Sequence, residues 1–172
     1  LGYFKDTENV TISDCFVSGY DRGSMLCGTW ELDEPQAPDN GYRTGRIKLG
    51  TESSGGYKNN TVTNCIFEHC RGLALETVDG GHLEDIEISH ITMRHIVNAG
   101  IFLRLGARMR SPEGTPAGSM KRIRISHINA YDVDSRYSSI ISGIPNGIIE
   151  DVTFDHIHLY YKVGYTKEDG KR

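Results

Sequence analysis

Ile86-Glu87-Ile88-Ser89-His90-Ile91 returns 37 residues later as Ile123-Arg124-Ile125-Ser126-His127-Ile128, and this near-identity decides how the chain folds. Three looser copies flank the pair: Val10-Thr11-Ile12-Ser13-Asp14-Cys15, Asn60-Thr61-Val62-Thr63-Asn64-Cys65 and Val152-Thr153-Phe154-Asp155-His156-Ile157. Each phrase alternates apolar and polar residues, the period of a strand with one buried face. Counted on the closing residue, the steps are 50 from Cys15 to Cys65, 26 to Ile91, 37 to Ile128 and 29 to Ile157. A repeat of roughly 20–50 residues built on short strands indicates a solenoid, blade or array.

A second apolar run opened by a small residue follows four of the five phrases. These runs are Gly23-Ser24-Met25-Leu26, Gly72-Leu73-Ala74-Leu75, Gly100-Ile101-Phe102-Leu103 and Ser138-Ser139-Ile140-Ile141. Another, Gly45-Arg46-Ile47-Lys48-Leu49-Gly50, falls inside the longest step. No segment has an amphipathic-helix period, and neither a WD dipeptide nor a leucine-rich-repeat asparagine pattern occurs. Several strands per repeat with uneven turn lengths point to an all-β chain, a right-handed parallel β-helix, each coil about 4.8 Å from the next. A β-sandwich also offers many short strands but leaves the repeated phrase unexplained. The Pro-, Gly- and charge-rich stretches 28–43 and 107–120 read as loops lifted off the stack.

In such a stack Cys15, Cys65, Ile91, Ile128 and Ile157 form an internal ladder. The residues before them, Asp14, Asn64, His90, His127 and His156, form a polar column where the chain turns. The three histidines read as turn residues bonding neighbouring backbone, because no carboxylate or thiolate stands beside them at metal-ligand spacing. No metal and no cofactor is expected. Cys15 and Cys65 would come close enough for a disulfide if adjacent coils stack them, whereas Cys27 and Cys70 show no partner spacing. Asn9-Val10-Thr11 and Asn59-Asn60-Thr61 are formal glycosylation acceptors.

At 172 residues and 37% hydrophobic content the chain suits one domain, read as five to six coils over 1–172. It starts at Leu1 in mid-repeat without a capping helix, so it reads as a piece of a longer domain. The net charge of −4 speaks against a nucleic-acid surface. No run approaches the roughly 20 apolar residues of a membrane span. A monomer is expected.

A parallel β-helix offers a long trough along one sheet, suited to an extended polymer. The stretches 45–52, 72–77 and 100–106 are the candidate strands. With Ile47 and Leu49 pointing in, Arg46, Lys48, Gly50 and Glu52 point out, and the same alternation turns Ala74, Glu76, Phe102 and Arg104 outward. Glu52 and Glu76 lead into glycine-rich turns, where a ligand can approach the backbone closely, and Asp21 stands just before the first strand of this sheet. Hydrolysis of a glycosidic bond needs two carboxylates about 5 Å or about 6.5–9.5 Å apart, separations that stacked coils supply. Arg46, Lys48, Arg104 and Arg108 would hold an acidic sugar through charge-assisted bonds. The same charges would also suit a solvated face with ions paired between coils.

At these residues the chain resembles glycoside hydrolase family 28, the polygalacturonase and rhamnogalacturonan-hydrolase family, over roughly 9–162. The stretch 45–56 is similar to the family's G-H-G strand and the I-G-S-E-T-S-G-G segment after it. Arg71-Gly72-Leu73-Ala74-Leu75-Glu76-Thr77 is similar to N-G-V-R-I-K-T, and Gly19-Tyr20-Asp21 to the G-D-D acids. The resemblance implies a pectin-lyase-like solenoid, a secreted or periplasmic protein, and inverting hydrolysis of pectic polysaccharide. Tyr20 replaces one acid, Gly45 or Arg46 the histidine, and Ala74 and Glu76 the arginine and lysine of R-I-K. A literal Arg46-Ile47-Lys48 stands one strand earlier.

The leading expectation is therefore a glycoside hydrolase with Asp21, Glu52 and Glu76 as catalytic carboxylates and Arg46, Lys48, Arg104 and Arg108 as substrate binders. A polysaccharide lyase would use Arg104, Lys48 or Arg108 as base, without the Asp cluster that calcium needs. A non-catalytic carbohydrate-binding β-helix is the third reading.

Overall fold

A computed structural model describes residues 6–18, 46–162 and 166. The run 23–26, the insert 28–43, Cys27 and the candidate acid Asp21 lie outside the described residues. Among those described there is no helix. The strands are β1 (Thr7–Glu8), β2 (Thr11–Ser13), β3 (Phe16–Ser18), β4 (Lys48–Leu49), β5 (Tyr57–Glu68) and β6 (Leu73–Thr77). They continue as β7 (His82–Arg94), β8 (Ile101–Leu105), β9 (Ser119–Val133), β10 (Ile140–Ser142) and β11 (Ile148–Tyr161). One sheet runs β5-β7-β9-β11, with β1, β2 and β3 all pairing along β5; the other runs β4-β6-β8-β10. Every pairing is parallel. Each pass of chain thus adds a long strand to one sheet and a short one to the other.

The repeated phrases fall into register as the alternation requires. Val62 pairs with Ile88 and Ile88 with Ile125; Cys65 pairs with Ile91, Ile91 with Ile128, and Ile128 with Ile157. The Ile66 amide donates to the Cys15 carbonyl at 2.9 Å, which seats Cys15 at the head of that ladder. Cys15, Cys65 and Cys70 are free thiols. Val62, Phe67, Leu75, Ile88, Ile91, Leu103, Ile125 and Ile128 are buried between the two sheets.

The long strands turn corners without losing their pairing, because single residues adopt the left-handed conformation. The polar column is one such corner: Asp14, Asn64, His90, His127 and His156 have φ of 56, 51, 56, 53 and 50°. Two further columns were not anticipated. Asn9, Asn59, Asp85, Arg122 and Asp151 lie five residues earlier, and His69, His95 and Asp132 five residues later, all at positive φ. This conformation costs most L-residues about 1–2 kcal/mol, and Asn, Asp and His are enriched in it. Neighbouring corner residues then support one another. His90 stacks on His127 at 4.7 Å and His127 on His156 at 4.8 Å, each pair 4° from parallel, and Asn64 donates to Asp14. Arg122 is carried at its corner by Asp85, bonded through Nε at 2.6 Å.

The segment after β8 does not stand off the stack as its composition suggests. Ser119 and Met120 belong to β9, and residues 106–118 fold down on the turn after β6. Gly118 and Gly81 approach so closely that a Cβ on Gly118 would sit 2.1 Å from the Gly81 carbonyl oxygen.

Ile88 is fully buried and Ile66 is 45% exposed on the outer surface of the same sheet. Ile88→Ala should cost about 2–5 kcal/mol in urea unfolding, and Ile66→Ala within about 0.5 kcal/mol of nothing. Equal losses would contradict this assignment of inside and outside.

Candidate functional site

The four-stranded sheet presents the candidate residues. Leu73, Leu75, Ile101, Leu103 and Leu105 are buried in the core, so by alternation Ala74, Glu76, Phe102 and Arg104 share the outer face. Lys48 stands opposite Ala74, and Glu76 opposite Arg104. Glu76 is nonetheless only 5% exposed. Lys48 Nζ donates to its Oε1 at 3.0 Å, and Arg46 Nη2 lies 3.9 Å from the same oxygen. The backbone of Gly50, after the neighbouring strand, packs against the Glu76 backbone: a Cβ there would sit 1.9 Å from the Glu76 carbonyl oxygen, and φ is +94°. Burial holds the Arg46 guanidinium below its usual pKa, with Glu76 opposing that shift. Burial also pushes the Cys70 thiol up to about 11.

The structure brings Arg46, Lys48 and Glu76 into contact and puts Arg104 on the adjacent rung, with its side chain exposed. Glu52 lies apart from this group. Its side chain is 82% exposed, and Arg110 lies 3.9 Å from it. Arg108 turns away from solvent to bind Asp79, bonding both carboxylate oxygens, while its Nη2 reaches the Thr51 carbonyl at 3.4 Å.

Asp79 is the residue that sequence reasoning missed. It is 3% exposed and holds the first part of the 106–118 segment, at Arg108, Arg110 and Ser111. The Arg110 amide donates to its Oδ1 at 3.1 Å and Ser111 Oγ to its carbonyl, while the Arg108 and Met109 amides bond the Val78 carbonyl at 2.7 and 3.0 Å. The segment therefore walls the C-terminal ends of β4 and β6. Behind it, Ser53 Oγ donates to Thr77 Oγ1 at 3.2 Å and Thr77 Oγ1 to the Gly81 carbonyl at 2.7 Å. The only hint in the sequence was an acid followed by two glycines, Asp79-Gly80-Gly81; nothing in it linked that acid to Arg108.

Among the described residues no three His, Cys, Asp or Glu side chains are grouped to hold a metal ion. No helix there is long and apolar enough to cross a membrane. Neither a protein-family model, nor a curated protein, nor a solved structure matches the chain.

The Arg108 hydrogen bond, aided by the Arg110 amide, holds the Asp79 carboxyl below the usual carboxylate range against the opposing effect of burial. A depressed folded pKa contributes stability that is present above the unfolded value, near 3.8, and lost as pH falls through the folded one. The stability gap between wild type and Asp79→Asn should accordingly be full at pH 6 and shrink as pH drops below about 4. Thermal melts across that range read it, and a gap independent of pH would refute the ionised pairing.

Proposed function

We propose that this chain is part of a right-handed parallel β-helix that hydrolyses glycosidic bonds in an acidic, uronate-containing polysaccharide, pectic or related. The observation that carries the reading is the outer face of the four-stranded sheet, where Lys48 and Arg46 lie against the buried Glu76 and Arg104 stands opposite it in register. Parallel rungs about 4.8 Å apart make a trough in which an extended chain meets the same side-chain position on successive passes. Fixed cations along it suit a polymer that bears a carboxylate on each sugar. The wall built by Asp79 and Arg108 bounds one long side of that trough.

In this reading Asp21 handles the proton, with Glu52 as the exposed second carboxylate. Glu76 Oε1 is engaged by Lys48, so in this reading that carboxylate serves to position the binding cations. Inverting chemistry needs the two working carboxylates about 6.5–9.5 Å apart, leaving room for a water. A binding protein without catalysis is the second reading, favoured by the commitment of Glu76 to Lys48 and Arg46.

Oligogalacturonides of defined length, incubated with the full-length protein, separate these readings. Hydrolysis yields new reducing ends of inverted anomeric configuration by NMR, a lyase yields an ultraviolet-absorbing unsaturated product, and a binder yields affinity alone. Asp21→Asn should lower kcat by about 10²–10⁴-fold with an unchanged fold. Glu76→Gln should weaken substrate binding and also lower Tm, because it leaves Lys48 and Arg46 without their carboxylate. Turnover unchanged in both variants would end the assignment.

A further inference from the structure

Arg71 has no place in the site as described so far. It enters β6 beside Gly72, whose φ of +82° turns the chain against the Ala99 and Gly100 carbonyls. Since Lys48 pairs with Ala74, the parallel register puts Arg46 opposite Gly72 and next to Arg71. Two arginines therefore stand at neighbouring positions where the chain enters two adjacent strands. The Nε of Arg71 is buried and has no hydrogen-bond partner. An unpaired buried donor on a cation costs about 1–3 kcal/mol or more, so a partner from outside is favoured. The local carboxylate, Glu76, lies 3.0 Å from Lys48 but 3.9 Å from Arg46. Arg71 also disfavours the charge on Arg46, as two like charges held together do.

We propose that Arg46 and Arg71 together form an oxyanion-binding site at the N-terminal edge of β4 and β6, taking a carboxylate or sulfate group carried by the ligand. The planar, multi-donor geometry of two guanidiniums matches such a group, and its charge relieves their repulsion. The inference rests on the polysaccharide reading for the carrier of that group, and it adds a subsite on the side of the trough away from the Asp79 wall.

Calorimetric titration of the full chain tests it, with a short oligogalacturonate, a sulfated neutral oligosaccharide and its unsulfated parent as probes, at low and at high salt. The wild type should bind at least one anionic probe more tightly than the neutral one. Arg71→Gln and Arg46→Gln should each weaken that probe about tenfold at low salt, and the difference should narrow at high salt. Arg71→Lys should keep part of the affinity, and Arg124→Gln, on the other sheet beside Glu87, should keep all of it. The probe that responds identifies the group as carboxylate or sulfate. No preference for either anion, an equal loss on the neutral probe, or Arg71→Gln matching Arg124→Gln would overturn the site. Arg71-dependent binding without product formation would instead sink the hydrolase reading and leave this site standing. Cleavage indifferent to both arginine substitutions would do the reverse.

Discussion

A backbone residue at φ near +55° turns an extended chain through a corner while the residues on either side keep their hydrogen bonds to the next pass. The structure uses that device in three columns, at Asn9 to Asp151, Asp14 to His156, and His69 to Asp132. Because successive passes turn at matching register positions, side chains of one type meet their like one rung away. Val62, Ile88 and Ile125 meet inside; Asn64, His90, His127 and His156 meet at the edge. Loss of register by one residue would send the inward set to solvent, so core and corners constrain each other.

The same register makes the charged face. Lys48, Arg46 and Glu76 come from strands separated by an intervening pass of chain, yet they touch because β4 and β6 pair in parallel. Gly50 is part of the arrangement: with no side chain it lets the turn after β4 close over Glu76. The Glu76 carboxylate is buried, and the Lys48 and Arg46 side chains beside it are largely covered too. An exposed ion pair of this kind would contribute little; burial on one side is what gives this one direction.

Asp79 plays the corresponding part at the other end of the strands. A buried carboxylate holding one guanidinium and one backbone amide ties a long irregular segment to the stack. The segment needs no strand or helix of its own, since its first residues borrow the Val78 carbonyl and its last lean on Gly81. The glycines after Asp79 are what admit so close a packing.

Sequence alone determined the strand period, the inward ladder from Cys15 to Ile157, the corner at Asp14 to His156, and the grouping in one sheet of the runs that hold Lys48, Ala74 and Phe102. Those features repeat, and repetition survives in one dimension. Tertiary structure decided the rest: the two further corner columns, the burial of Glu76, the Arg108–Asp79 anchor, and the placing of Arg46 and Arg71 at neighbouring positions of adjacent strands. The two columns recur with the repeated phrase, but mixed residue types hide them and only the backbone angle marks them; the other three depend on contacts between residues about 25 or more positions apart with no recurring spacing, which only the folded chain brings together.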